Sequence, residues 1–144
     1  MKDPAASSAT THPLVELNWV EGIAFDTGRQ GGPTVRIDGD SKTGPSPFDA
    51  LLGALAGCAA ADVVTILAKQ RTPVQSLHVA VEAQRVTDTP RRLASAVLHF
   101  KIRAPGSTRE KAERAIELAV TKYCSVGGSL RTDAPVTWTV DLTA

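Results

Sequence analysis

Two cysteines, Cys58 and Cys124, are the residues of this chain with the widest chemical range. A thiol can ionise, attack an electrophile, pass through a sulfenic acid or close a disulfide. Two cysteines are too few for a disulfide scaffold, and no CxxC or Cys/His spacing suggests structural zinc, so reduced thiols are the resting expectation. A bond between them would need their Cα atoms within about 7 Å, which sequence spacing does not settle. The plainer reading of Cys58 is a small packing residue, since free cysteine is among the most buried residue types. Cys124, placed at the end of a helix before Ser125, suits plain packing less well. Asp62 lies one turn beyond Cys58, where a carboxylate would raise the thiol pKa unless a cation intervened; the alternative is an Asp paired with a basic side chain elsewhere.

Other chemistry-bearing patterns are sparse. His12, His78 and His99 share no metal-ligand spacing, and His78 and His99 fall on the polar sides of adjacent strands. No GxSxG, HExxH, P-loop or dinucleotide fingerprint occurs, and Gly28-Arg-Gln-Gly-Gly32 reads as a plain loop. Neither a metal nor another cofactor is expected.

The elements that must position the two sulfurs follow from hydrophobic period. Ser46 to Arg71 reads as one long helix: Ser46 caps it, Pro47 suits its first position, Asp49 brings negative charge to the positive end, and Lys69 and Arg71 bring positive charge to the other. Leu51, Leu52, Leu55, Val63, Ile66 and Leu67 supply helix-spaced bulk, while Gly53, Ala54, Ala56, Gly57, Ala59, Ala60 and Ala61 leave a centre almost without side chains around Cys58. Something must approach closely there. Leu14–Val20, Ile23–Thr27 and Thr34–Asp38 alternate as three strands of an antiparallel meander, and 39–45 is a polar surface connection. Val74–Val86 and Leu93–Arg103 form a hairpin; Ser107-Thr-Arg-Glu110 has the form of a capping box heading a second helix, which ends at Cys124 before a Gly127-Gly128 break; Val136–Leu142 is a last strand. The order βββ-α-ββ-α-β argues for an α+β fold. One sheet cannot cover a helix apolar over so much of its circumference, and a homodimer with paired helices would.

A chain of 144 residues is one domain by length, expected over 14–144 behind a disordered lead-in over 1–13. Sixteen Lys and Arg against 15 Asp and Glu leave a net charge of +1 and no footprint for nucleic acid or an anionic membrane. No run of 18 or more apolar residues occurs and residues 1–13 lack the apolar segment of a signal peptide, so a cytoplasmic location without membrane association is expected.

Taken together, Ser46-Pro-Phe-Asp-Ala-Leu-Leu-Gly-Ala-Leu-Ala-Gly-Cys58 and Ala119-Val-Thr-Lys-Tyr-Cys-Ser-Val126 resemble the two cysteine motifs of the OsmC/Ohr family of osmotically induced and organic-hydroperoxide-resistance proteins. The resemblance runs from about Val15 to Leu142, and the segment Gly57–Leu67 is most similar to the YhfA-like branch. It implies an intertwined homodimer whose long central helices are wrapped by antiparallel sheets. It also implies a thiol peroxidase: Cys58 would attack an organic hydroperoxide, Cys124 would resolve the sulfenate as a disulfide, and a dithiol or small-thiol reductant would restore both. Family peroxidases carry a glutamate directly after the motif proline, where this chain has Phe48 and then the shorter Asp49. They also carry an arginine after the first strand, for which the nearest candidate here is Arg29. A rival reading is a non-catalytic dimer that binds a small apolar ligand or senses redox state.

Overall fold

The computed structural model describes residues 8–143 and places six strands and three helices along them. The assignment of 1–13 as a lead-in falls largely on residues 1–7, which lie outside the described residues; 8–14 form no helix or strand. Two compact units divide the chain near Ala50.

The first unit is an antiparallel sheet of β1 (Val15–Glu21), β2 (Ala24–Arg29) and β3 (Val35–Asp38) in that order. Gly22, at φ +53°, makes the tight turn between β1 and β2 in the left-handed region that glycine enters without steric cost. Arg36 and Asp26 pair across β2 and β3 through two hydrogen bonds. The connection after β3 is more than a polar surface loop. Asp38 is only 5% exposed, and its carboxylate accepts the backbone N–H groups of Asp40, Lys42 and Thr43 together with the Thr43 hydroxyl. Those donors hold its pKa down to about 2, with the Thr43 and Asp40 amides contributing most.

Helix α1 (Pro47–Lys69) begins on a reciprocal cap: Ser46 Oγ accepts from the Asp49 N–H at 3.1 Å, and the Asp49 carboxylate accepts from the Ser46 N–H at 3.2 Å. Its buried stripe, Leu55, Ala59, Val63 and Leu67, advances four residues at a time. The rest of its circumference is half-buried or exposed. By length and composition alone α1 could cross a membrane, with a mean hydropathy of 2.0 over an 18-residue window of which 28% is buried. The count of uninterrupted apolar residues misses this, because Asp49, Asp62 and Thr65 interrupt a segment otherwise almost wholly apolar.

The second unit's sheet is mixed. Strands β4 (Ser76–Arg85) and β5 (Leu93–Arg103) pair antiparallel as the hairpin requires, but β6 (Val136–Thr143) lies parallel to β5, where the family resemblance implies antiparallel sheets. Between β5 and β6 the chain crosses back through α2 (Arg109–Leu118), a π-helical turn (Ala119–Tyr123) and α3 (Ser125–Gly128), the kind of connection a parallel pair needs. Thr108, rather than Ser107, caps α2, its hydroxyl accepting from the Lys111 N–H at 3.2 Å. The reciprocal box expected from Ser107 and Glu110 is therefore displaced by one residue, leaving a lysine at the position where a box needs a carboxylate. The core gathers the α1 stripe, Leu98, Phe100 and Ile102 of β5, and Ala112, Ala115, Ile116 and Ala119. Each large aliphatic side chain there contributes about 1.5–3 kcal/mol on burial.

Candidate active site

The second unit brings the two sulfurs together. Cys58 projects from the middle of α1, partly exposed, and Cys124 lies where the π-helical turn ends. The wider turn of that segment rotates the chain just before Cys124, and its Thr121 hydroxyl donates back to the Glu117 carbonyl of α2 at 2.6 Å. Cys124 is the buried member of the pair, at 7% exposure. Placing it at the negative end of a helix is incomplete: it also caps α3, its sulfur accepting the Gly127 N–H at 3.2 Å. Residues 125–128, which the sequence places after the helix and which include the Gly127-Gly128 break, thus form a short helix of their own.

The surroundings divide the roles of the two thiols. Cys58 Sγ lies 3.6 Å from Ser125 Oγ, a hydrogen-bonding distance for sulfur. Its pKa is lowered, most strongly by the Val126 backbone N–H, against a desolvation cost, with help from the Ser125 hydroxyl, the Cys124 thiol and the Ser125 N–H. Burial pushes the Cys124 thiol up, and the neighbouring Cys58 sulfur raises it further while the Gly127 N–H acts the other way. Cys58 is therefore the more acidic thiol of the pair, while the Cys124 S–H also has the Leu55 carbonyl within reach as an acceptor, at 3.9 Å. All the groups that lower the Cys58 pKa are amides, a hydroxyl or a thiol from residues 124–126.

That arrangement differs from one built on a cation. Arg29 ends β2 in the first unit, opposite Val15 and exposed, with its backbone carbonyl accepting from the Gly32 N–H. Asp49 is occupied in the cap of α1. Sequence reading put both sulfurs on the list of candidates but passed over Ser125 and Val126. The available signal was a serine directly after the second cysteine, which supplies a side-chain donor and a main-chain N–H at one position. The His99 ring nitrogens meet Glu82 at 2.9 Å and Thr139 at 2.8 Å, while His78 stands opposite Lys101. Among the described residues no group of three or more His, Cys, Asp or Glu could hold a metal ion.

A cavity of about 370 Å³ adjoins Cys124, walled by Leu55, Leu98, Val120, Leu130 and Val136 and edged by Thr121, Thr132 and Arg131. Gly127 is tight against the sulfur, where an added Cβ would stand 3.3 Å from Cys124 Sγ.

Comparison with known proteins places this arrangement. Protein YhfA of Escherichia coli strain K12 is 33% identical over 129 residues, covering 89% of this chain and 96% of its own. Among solved structures, an OsmC-like protein from Mycoplasma pneumoniae superposes with a TM-score of 0.79 at 18% identity, covering 94% of this chain and all of its own. The organic hydroperoxide resistance protein OhrB of Bacillus subtilis superposes with a TM-score of 0.60 at 15% identity, over 92% of this chain and all of that one. With its residues 39–139 also matched by the family model for OsmC-like proteins, the chain belongs to the OsmC-like protein family.

Proposed function

We propose that the protein is a cytoplasmic thiol peroxidase that reduces organic hydroperoxides to alcohols. The observation that carries this reading is the paired state of the sulfurs: a Cys58 thiol with lowered pKa beside a Cys124 thiol able to donate to it. The Cys58 thiolate attacks the terminal peroxide oxygen; the O–O bond breaks, the alkoxide takes a proton and leaves as the alcohol, and Cys58 becomes a sulfenic acid. Cys124 then attacks that sulfur, a disulfide forms and water departs. Two thiols of a reductant restore both cysteines by exchange and leave as a disulfide.

The working unit is proposed to be a homodimer. Val15, Leu17 and Trp19 of β1 are 57%, 57% and 68% exposed, and an added Cβ at Gly53 or Gly57 of α1 would meet nothing within 4 Å. Apolar strands and a small-residue helix face left this open need a cover. A second copy suits them better than lipid, because α1 carries Asp62 in its length and glycines that favour close backbone approach.

Stopped-flow oxidation of the reduced protein by cumene hydroperoxide tests the chemistry. The expected outcome is oxidation at least 100-fold faster than free cysteine, abolished in Cys58→Ser and halted at the sulfenic acid in Cys124→Ser, on the order of what activated thiolates gain. Oxidation no faster than free cysteine overturns the reading.

A further inference from the structure

The cavity opens on the Cys124 side of the pair, and Cys58 is not among its lining residues. We propose that it is the entry port of the reductant: a thiol on an apolar chain enters there and attacks the Cys124 sulfur of the oxidised pair. This rests on the disulfide of the proposed function, and it names which sulfur is attacked and from where.

Exchange runs faster when the departing thiol has the lower pKa. On cleavage, Cys58 leaves into the Val126 and Ser125 donors, whereas Cys124 would leave as an anion into apolar surroundings that oppose its charge. Attack at Cys124 is therefore favoured, and the cavity supplies access to that otherwise buried sulfur. The reductant thiolate forms a bond to Cys124 Sγ, the bond between the protein sulfurs breaks, and its electron pair departs on Cys58. A second reductant thiol attacks the reductant's own sulfur; Cys124 leaves, takes a proton, and the reductant departs as a disulfide. Cys58 is thus restored before Cys124.

Arg131 is the charged residue of the lining, and its guanidinium donates to both Asp133 carboxylate oxygens at 3.0 and 3.1 Å. The rest of the lining is uncharged and mostly apolar, which favours a thiol on an apolar chain over a short polar one.

The test uses the full chain with its disulfide made by diamide, so that it does not depend on peroxide chemistry. The oxidised protein is treated with mercaptohexanoate, acid-quenched, alkylated and mapped by peptide mass. The expected product carries the adduct on Cys124 and the alkyl group on Cys58; an adduct on Cys58 overturns the proposal. Gly128 lines the cavity, and an added Cβ there would meet nothing within 4 Å, so Gly128→Leu introduces bulk without a backbone clash. It should cut the rate of mercaptohexanoate relative to mercaptoethanol at least tenfold, and an unchanged ratio overturns the port. A chain that forms the disulfide with diamide but ignores hydroperoxides loses the peroxidase reading while the adduct map still decides this one. Failure to form the disulfide at all removes both.

Discussion

At the scale of single residues, Cys58 depends on neutral donors. A thiolate in the middle of a helix gains little from that helix's own dipole, so its stabilisation has to come from another segment. The Val126 amide and the Ser125 hydroxyl provide it. Ser125→Ala should raise the Cys58 pKa, because a donor to the charged form is removed. The pH dependence has a definite sign: the thiolate population, and with it the alkylation rate, falls as pH drops through the Cys58 pKa, and the variant begins that fall at higher pH. Iodoacetamide labelling of Cys58 at neutral pH should slow about fivefold, the factor that matches a hydrogen bond of roughly 1 kcal/mol, while the two proteins converge in alkaline buffer. Equal rates at every pH would show that the hydroxyl contributes nothing.

Among elements, α1 has both ends specified by local chemistry. The Ser46–Asp49 box was legible in the sequence because a serine, a proline at the first helical position and an acid three residues after the serine have few other uses in that order. The position of the other end was legible to within two residues, but its left-handed closure was not. Arg71 adopts φ +62°, with its N–H on the Ala68 carbonyl and the Thr72 N–H on the Leu67 carbonyl, the paired bonds of a Schellman closure. A glycine ordinarily marks such a position, and an arginine there gives no warning in the sequence. Arg71→Gly should relieve the left-handed cost and raise stability by about 0.5–1 kcal/mol, read from the urea midpoint at unchanged m-value. A lower midpoint would show that the arginine side chain offsets its own backbone cost.

For the whole molecule, the distribution of apolar surface is the central fact. β1 and the small-residue face of α1 are written in the sequence as core, yet in one chain they are open to solvent. Gly57→Trp places bulk on that face and should convert a dimer to a monomer in sedimentation velocity. The same variant should retain its far-UV circular dichroism, since a Cβ at that position meets nothing within 4 Å in its own chain. A dimer that survives the tryptophan would move the interface elsewhere.

Period and capping residues settled the strands, the long helix and the candidacy of both cysteines, since these are local properties of spacing and residue type. The parallel joining of β6, the π-helical turn that aims Cys124, and the amides that meet Cys58 were decided only by tertiary structure. Their physical origin is shared. Backbone N–H groups carry no residue identity, so which of them surrounds a sulfur depends on where segments distant in the chain come to rest.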